Sequence, residues 1–214
     1  MLAVIKGDII RSRELINQES WLVPLKRLFS EWGKSPRNWE IVWGDFFQIE
    51  IADPAEALIK AIEIKTLIKK TQPSDNRKKI SPIDVRMAIG IGEKTYSGSR
   101  ISESNGSAFI FAGEKFDRLK KENITLGIKS PWGDFDRDIN LYLRLAGIFM
   151  DKWSLSSVEL MEAILHNPDQ TQEELGNILG IKQSAVSSRW NTANIAEVLA
   201  VNQHFKEKLK KVTT

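Results

Sequence analysis

The hydrophobic pattern of the chain changes character at the turn sequence PWGD, residues 131–134. Before this turn, β-rich runs alternate with segments of helical period in the order β-α-β-β-α-β-α-β. After it, the segments that show a period are all helical. Strands and helices in alternation, followed by helices alone, predict an α+β protein in which an α/β sandwich precedes an all-α part.

The first part of the chain contains short β-rich runs and three amphipathic segments. The predicted strands are residues 2–10, a hairpin at 39–51, and residues 83–91 and 124–129. The predicted helices are residues 19–32 and 53–70, and the segment 109–121 is predicted to become helical near Ala112. The helix at 53–70 has the clearest start, because Asp53 is a favourable N-cap and Pro54 suits the first helical position. Residues 71–81 and 92–107 are polar loops. This order predicts a ferredoxin-like sandwich over residues 1–130.

The second part is predicted to be helical throughout. The predicted helices are residues 135–152, 156–166, 171–179 and 183–210. The first of them has an apolar face that we expect to join the two parts of the chain. That face is formed by Leu141, Leu145, Ile148 and Phe149. The chain is thus divided into a sandwich at 1–130, a linker helix at 131–153 and a helical domain at 154–214.

The stretch TQEELGNILGIKQSAVSSRW, residues 171–190, has the pattern of a helix-turn-helix. Thr171 and Glu174 are spaced as a capping box that starts a short helix. Gly180 ends it, because glycine accepts a left-handed C-cap at no steric cost. A second helix opens at Gln183 or Ser184. A short helix, a glycine turn and a second helix predict a helix-turn-helix unit of the plain or winged kind.

In such a unit the second helix enters the major groove of DNA with its first residues facing the bases. The candidate DNA-binding residues are therefore Lys182, Gln183, Ser184, Ser187, Ser188 and Arg189. The alternative is a helical hairpin used only for packing or dimerisation. The net charge of the whole chain is +3, but acidic and basic residues nearly balance from Asp151 onwards. Phosphate binding would need a local patch. The candidates for that patch are Lys182 and Arg189, with Lys206, Lys208, Lys210 and Lys211 at the end.

Two aspartates directly follow glycines where predicted strands end or turn, Asp8 in GDIIRSR and Asp45 in WGDFFQ. In an α/β sandwich these ends can be neighbours, so both carboxylates and the carbonyl of Ile9 are candidate ligands of a divalent cation. The chain has no cysteine and two histidines, so Mg²⁺ or Mn²⁺ held by carboxylates is the metal to expect. The alternative is that both aspartates accept backbone N–H bonds in turns.

Four segments resemble the catalytic domain of class III nucleotide cyclases: GDIIRSR, WGDFFQIEIADPAEALIKAIEI, VRMAIGIGEKTYSG and GSAFIFAGEKFDRL. The resemblance covers roughly residues 1–129 and implies a nucleotide-cyclase-like sandwich with Asp8 and Asp45 as the metal aspartates. Where the family has a base-reading Lys, this chain has Ile41. Where it has an Asn and an Arg that stabilise the transition state, this chain has Ile110 and Glu114. The resemblance therefore implies a fold that has lost catalytic donors.

A nucleotide phosphate could still be bound in such a domain. The candidate nucleotide-binding residues are Arg86 and Lys115. The alternatives are an ion pair with a nearby acid for Arg86 and a solvated helix face for Lys115.

Most of the chain resembles the SatD family of small bacterial proteins. The similar pieces are the GDII-x-SR opening, the GD-x-FQ hairpin, the R-x-A-I-G-I-G strand, the segment at 104–113 and the QSAVSSR helix. The resemblance implies a DNA-binding transcriptional regulator, with the degenerate cyclase-like domain as its sensor or dimerisation module. The alternatives are a metal-dependent nucleotidyl cyclase or transferase that uses Asp8 and Asp45, and an interaction module in which the sandwich is only a dimerisation platform.

The expected partners are duplex DNA, a nucleotide ligand and a second copy of the chain. A cytoplasmic location is expected, because the chain lacks cysteine and has no apolar run long enough to span a bilayer. The opening MLAVIKGDII is apolar but contains Lys6 and Asp8, so we interpret it as a strand rather than a signal peptide.

Overall fold

The computed structural model describes residues 1–14, 17–71 and 83–214, and within these ranges it is an α+β protein with a five-stranded mixed sheet and eight α-helices. The strands are β1 (Leu2–Ile10), β2 (Trp39–Val42), β3 (Phe46–Ile51), β4 (Asp84–Gly92) and β5 (Leu126–Lys129). The helices are α1 (Glu19–Trp32), α2 (Ala57–Lys70), α3 (Ser107–Glu122), α4 (Gly133–Met150), α5 (Leu155–His166), α6 (Gln172–Leu179), α7 (Gln183–Ala193) and α8 (Ile195–Thr213). The loop predicted at 71–81 lies almost wholly outside the described residues.

The strands are ordered β2-β3-β1-β4-β5 across the sheet. Neighbours are antiparallel from β2 to β4, and β5 is parallel to β4. The predicted hairpin at 39–51 is confirmed, since β2 and β3 pair across a short turn. In that turn Trp43 and Gly44 adopt positive φ angles of 52° and 90°. The central position of β1 places Asp8 between Phe46 of β3 and Arg86 of β4.

The two faces of the sheet pack against different helices. Alternate residues of β1 point to opposite faces, so Ile5 joins the main core under α1 and α2 whereas Val4 packs with α3 on the other face. The helix α3 approaches β4 so closely that a Cβ atom at Gly90 would lie 2.1 Å from the carbonyl oxygen of Ala108. The glycine at position 90 is therefore required by the packing of α3 on the sheet.

The helix α4 buries a different face from the one predicted. Its buried residues are Phe135, Ile139, Leu143, Ala146 and Met150. The face of Leu141, Leu145 and Ile148, which we expected to join the two parts of the chain, is exposed. The reason is a side chain that anchors the helix: the amide of Asn140 accepts a hydrogen bond from the Ile128 N–H at 2.9 Å and donates one to the Ile128 carbonyl at 2.8 Å. The Asn140 side chain thus makes the hydrogen bonds that a neighbouring strand would make with Ile128 of β5.

The predicted single helix at 183–210 is wrong, because the chain forms α7 and α8 with a break between them. Asn194 adopts the left-handed conformation at the break, with φ of 51°. Asparagine tolerates this conformation better than most residues. The indole of Trp153 donates a hydrogen bond to the carbonyl of Ala193 at 2.8 Å, a carbonyl that a continuous helix would use for its own ladder.

The helical part packs directly on the sandwich. One continuous hydrophobic core extends from β1 to Leu209 of α8. Phe205 of α8 is fully buried, with its ring centroid 6.0 Å from that of Phe135.

The division into 1–130, 131–153 and 154–214 stays a prediction. After β5 the described residues form helices only, which is the plain and not the winged form of the predicted unit. Within the described ranges, the helices lack the length and apolar character that crossing a bilayer requires.

Candidate functional site

The predicted helix-turn-helix consists of α6, a three-residue turn and α7. The predicted capping box is present, because the Thr171 hydroxyl accepts a hydrogen bond from the Glu174 N–H at 3.3 Å and the Glu174 carboxylate accepts one from the Thr171 N–H at 2.7 Å. Gly180 ends α6 in the left-handed conformation with φ of 65°. Both local signals in the sequence are therefore confirmed.

The turn between the two helices is tight because Gly176 has no side chain. The Gly176 carbonyl accepts a hydrogen bond from the Ile181 N–H at 2.9 Å. A Cβ atom at Gly176 would lie only 2.7 Å from the Ile181 carbonyl oxygen. Leu175 and Val186 are fully buried beneath this contact. The angle between α6 and α7 is therefore fixed by packing and not only by the turn.

The first turns of α7 present polar side chains to solvent. The exposed residues are Lys182, Gln183, Ser184 and Ser188, and Ser187 is half-buried. The amide of Gln183 donates a hydrogen bond to the amide oxygen of Gln172 on α6 at 2.9 Å. Gln172 lies in the first turn of α6, which also carries the exposed acidic residues Glu173 and Glu174. The structure thus brings five of the six predicted DNA-binding residues to one surface, whose net charge is low.

Arg189, the sixth predicted DNA-binding residue, forms an ion pair inside the three-helix unit. Its guanidinium lies 3.3 Å from the carboxylate of Glu159 on α5, and both side chains are partly buried. The pair holds α7 against α5. A phosphate contact by Arg189 would have to replace this ion pair.

Two lysines of the predicted phosphate patch at the end of the chain form ion pairs away from α7, and the patch itself stays a prediction. Lys206 lies 2.6 Å from Glu56, and Lys208 lies 2.8 Å from Asp138. Since a helix rises 1.5 Å per residue, Lys206 is about 16 Å along α8 from its start beside α7. The end of α8 instead contacts the 3-10 turn Pro54–Glu56 of the sandwich. The sequence did not indicate that α8 leads away from α7.

The predicted acidic pair lies where β1 ends. The Asp8 carboxylate accepts two hydrogen bonds from Arg86 Nη1, at 3.2 and 3.4 Å. The Asp45 carboxylate accepts a hydrogen bond from the Ser12 hydroxyl at 2.8 Å, and its carbonyl accepts one from the Ile9 N–H at 3.1 Å. Arg86 therefore forms an ion pair with a nearby acid, which was the alternative to nucleotide binding.

The surroundings of Asp8 raise its pKa above the ordinary value. Burial raises the pKa of Asp8, and the nearby charge of Asp45 raises it further. The charges of Arg86 and Lys120 lower the pKa without cancelling the effect of burial. Lys120 was not singled out from the sequence. It lies four residues after Phe116, whose ring packs on Phe46 of β3 with centroids 5.4 Å apart, and an i, i+4 spacing puts both on one helix face.

The donor set at this corner fits a divalent cation poorly. The oxygens of Asp8 already accept from Arg86, and Ser12 occupies an oxygen of Asp45. In the part of the chain that the structure describes, no group of three or more His, Asp or Glu side chains is arranged for metal binding. The third candidate ligand, the backbone carbonyl of Ile9, stays a prediction. A cation between Asp8 and Asp45 would have to displace Arg86.

The other predicted nucleotide-binding residue, Lys115, lies against β5. Lys115 is buried, donates to Glu122 at 3.0 Å and lies over Gly127. It is therefore neither on a solvated helix face nor in a hydrogen bond with the acidic pair. At the two positions where the cyclase resemblance implies lost catalytic donors, Ile110 is exposed and Glu114 forms an ion pair with Lys129.

A buried ion network that the sequence did not reveal joins the sandwich to the helical part. Lys65 of α2 is fully buried, and its ammonium lies 2.7 Å from both Asp84 and Asp151. Lys69 donates to the Asp84 carboxylate at 3.2 Å and to the Asp151 carbonyl at 2.9 Å. Asp151 follows α4 directly, so the network fixes the corner between α4 and α5.

The chain matches no protein-family model, and no curated protein matches it.

Proposed function

We propose that the protein is a DNA-binding transcriptional regulator of the SatD type, in which α6 and α7 read duplex DNA. The observation that carries the proposal is the exposed polar start of α7, which follows a turn that admits no side chain at Gly176. A rigid pair of helices with a polar, accessible second helix is what major-groove reading requires.

In this function each polar residue of α7 has a separate task. Gln183 and Ser184 lie in the first turn, where side chains reach base edges, and an amide can pair with adenine through two hydrogen bonds. The bond from Gln183 to Gln172 restrains the amide before DNA binds. Lys182 contacts a phosphate, and Ser188 reaches the backbone one turn further along.

The low charge of the surface limits the affinity of a single unit. With few phosphate contacts, the non-specific electrostatic contribution to binding is small and depends weakly on salt. A regulator with such a surface needs two units on one operator, since linking two weak sites raises the overall affinity strongly. We therefore propose a homodimer on a two-fold operator.

The sandwich acts as the sensor or dimerisation module of this regulator. The antiparallel order β2-β3-β1-β4 supports a ferredoxin-like, degenerate cyclase-like domain. Its connection to the DNA-reading unit is physical: the Lys65 network fixes Asp151, and Trp153, two residues later, bonds to the end of α7. A ligand that shifted α2 or β4 would therefore act on α7 through this corner.

The proposal is tested by selecting duplexes from a random library and measuring affinity by fluorescence anisotropy. The variant Lys182→Ala/Gln183→Ala is expected to bind the selected duplex at least about tenfold more weakly, as for loss of one good base contact and one phosphate contact. The control Lys121→Ala/Gln203→Ala changes exposed residues elsewhere and is expected to bind normally. Equal binding by both variants, or no duplex enriched over a scrambled one, would overturn the proposal.

A second candidate is a metal-dependent nucleotidyl cyclase or transferase, favoured by the neighbouring carboxylates of Asp8 and Asp45. Asp8 and Asp45 would hold Mg²⁺ or Mn²⁺, and the ion would neutralise triphosphate charge. Glu114 in place of a phosphate-stabilising Arg opposes this candidate, because it sets an acid where negative charge develops. Turnover of ATP or GTP with Mn²⁺ that is lost in Asp45→Asn would favour it over the regulator alone.

A further inference from the structure

A cleft lies between α1, α2 and α5, where the sandwich meets the helical part. Its volume is about 360 Å³, which falls within the range of small-molecule sites. Its apolar lining comes from all three helices and consists of Val23, Pro24, Leu28, Leu67 and Leu165. A cleft of this size and lining can hold a small organic molecule, and its polar groups decide which kind.

Glu63 of α2 lines the cleft, and no described group forms a hydrogen bond or an ion pair with its carboxylate. Lys60, one turn earlier on α2, is held over the ring of Trp32, with its ammonium 3.9 Å from the ring centroid. Burial raises the pKa of Glu63, and the charge of Glu31 raises it further. The charges of Lys60 and His166 lower this pKa without cancelling the effect of burial. The Glu63 carboxylate is therefore an acceptor whose charge the protein compensates only in part.

Thr66 and His166 also line the cleft, and each has an acceptor left for a ligand. Thr66 is buried, and its hydroxyl donates its single hydrogen to the Ile62 carbonyl at 2.8 Å, so towards a ligand the oxygen can only accept. The Nδ1 atom of His166 lies 2.8 Å from the carbonyl oxygen of Glu162. Since a carbonyl cannot donate, Nδ1 carries the hydrogen, and Nε2 of the neutral ring is an acceptor.

The charged residues of the lining are mostly acidic. Glu31 and Glu162 line the cleft together with Glu63, and Glu162 is paired with Lys70 at 2.6 Å. Arg27 lines the cleft as well, but it is exposed. Three carboxylates and two further acceptors thus stand against one guanidinium in the described lining. A complementary ligand supplies positive charge and hydrogen-bond donors.

We infer that the cleft binds a small organic cation, namely a protonated amine carried on an aliphatic body. The ammonium has three donors, and it bonds to Glu63 and Thr66, which are spaced to lie on one face of α2. The aliphatic body packs against Leu28, Leu67 and Leu165. A neutral alcohol lacks the charge-assisted hydrogen bond to Glu63, and a carboxylate is repelled by it.

The position of the cleft connects this ligand to α7. On α5, Glu159 lies one turn before Glu162 and forms the ion pair with Arg189 of α7 at 3.3 Å. A ligand that bridges α2 and α5 therefore holds the helix against which α7 is fixed. The inference deepens the proposed function by giving the sensor a ligand class. Its regulatory meaning rests on that function, whereas binding itself is tested without DNA.

Three probes with the same six-carbon chain test the inference: hexylammonium, hexan-1-ol and hexanoate. A primary amine is protonated at pH 7, and methyl NMR of the leucines locates and quantifies binding. Hexylammonium is expected to shift the signals of Leu28, Leu67 and Leu165. It is expected to bind at least about tenfold more tightly than hexan-1-ol, as for one hydrogen bond to a charged group. The signals of Leu141 and Leu145, exposed on α4, report non-specific apolar binding and should stay unchanged.

Glu63→Gln keeps the size of the side chain and removes its charge. This variant is expected to fold normally by circular dichroism and to lose the preference for hexylammonium over hexan-1-ol. Glu197→Gln, at an exposed position on α8, is the matched control and is expected to keep the preference. The inference is overturned if hexan-1-ol or hexanoate binds the wild-type chain as tightly as hexylammonium, if no leucine signal of the cleft shifts, or if Glu63→Gln keeps the preference.

Titration of the Glu63 carboxyl by NMR gives a second readout. A bound ammonium is expected to lower the pKa of Glu63, because a nearby positive charge favours the ionised form, and hexan-1-ol is expected to leave it unchanged. An equal pKa with both probes would place the ammonium elsewhere and overturn the inference. Lys182→Ala/Gln183→Ala is expected to bind hexylammonium normally. A chain that binds the probe at Glu63 but enriches no duplex would therefore retain this ligand site and overturn only the DNA-binding proposal.

Discussion

The indole N–H of Trp153 donates a hydrogen bond to the carbonyl of Ala193, forty residues away, at 2.8 Å. Both groups are buried. The bond connects the corner after α4 to the last residue of α7, so it joins the sandwich side of the molecule to the proposed DNA-reading helix. It also lies at the point where α7 and α8 separate.

Trp153→Phe removes the donor and leaves the Ala193 carbonyl buried without it. The expected loss is about 1–3 kcal/mol in the free energy of unfolding, the usual cost of an unsatisfied buried acceptor. Urea denaturation followed by circular dichroism measures it. Trp43→Phe is the control, because Trp43 is exposed on the β2–β3 turn. A loss of the same size in both variants would contradict a specific role for this bond.

Gly176→Ala is expected to destabilise the α6–α7 unit by about 1–3 kcal/mol, as overpacking in a tight contact usually does. The new methyl group would meet the Ile181 carbonyl at 2.7 Å. The control is Gly147→Ala in α4, where no atom lies within 4 Å of the added carbon and the change should stabilise the helix by about 0.5–1 kcal/mol. Thermal unfolding distinguishes the two, and a neutral Gly176→Ala would show that the turn has room to relax.

Lys65→Met is expected to cost about 3 kcal/mol, because it leaves Asp84 and Asp151 without the buried ammonium that they share. The partial exposure of Asp151 keeps the cost at the lower end of the range for broken buried ion pairs. Lys70→Met removes the exposed pair with Glu162 and should cost less than about 1 kcal/mol. Equal losses, measured by guanidinium denaturation, would mean that burial of the network contributes nothing.

Asp8→Asn is expected to raise the stability of the protein at pH 7. Burial raises the pKa of Asp8 above its ordinary value of 3.8, so the folded state binds this proton more tightly than the unfolded state. The contribution of Asp8 therefore increases stability as the pH falls through its folded pKa and lowers it as the pH rises. The gain in Asp8→Asn should vanish below about pH 3.8, the unfolded value.

Asp169→Asn at an exposed position is the control for this pH series. Titration of the Asp8 carboxyl by NMR gives an independent measurement. In Asp45→Asn the pKa of Asp8 should fall, because a neighbouring negative charge has been removed. An unchanged pKa would mean that the two carboxylates do not interact.

Features that depend on residues close in sequence could be predicted. The capping box at Thr171, the glycine end of α6 and the β2–β3 hairpin each follow from a few adjacent residues, and the structure has all three. The apolar run of β1 and the apolar face of α1 were equally local signals. Such signals locate helices and strands along the sequence but do not show which faces pack against one another.

What could not be predicted depends on partners that are distant in sequence. The buried face of α4 is set by the bonds from Asn140 to Ile128, and the break at Asn194 coincides with the bond from Trp153. Arg189 had the pattern of a base-reading residue, but its ion-pair partner Glu159 lies thirty residues earlier. Helical periodicity cannot show which of two apolar faces on one helix is buried. The exposed face of α4 was therefore wrongly predicted to join the two parts of the chain.

Asn140 has a consequence for the behaviour of this protein at high concentration. The outer strand of a sheet normally offers unpaired N–H and C=O groups that recruit strands from other molecules and start aggregation. On β5 a side chain already occupies both backbone groups of Ile128, and the strand is only four residues long. Strand addition on the β5 side of the sheet is thus blocked at Ile128, and resistance to fibril growth on this side depends on one asparagine.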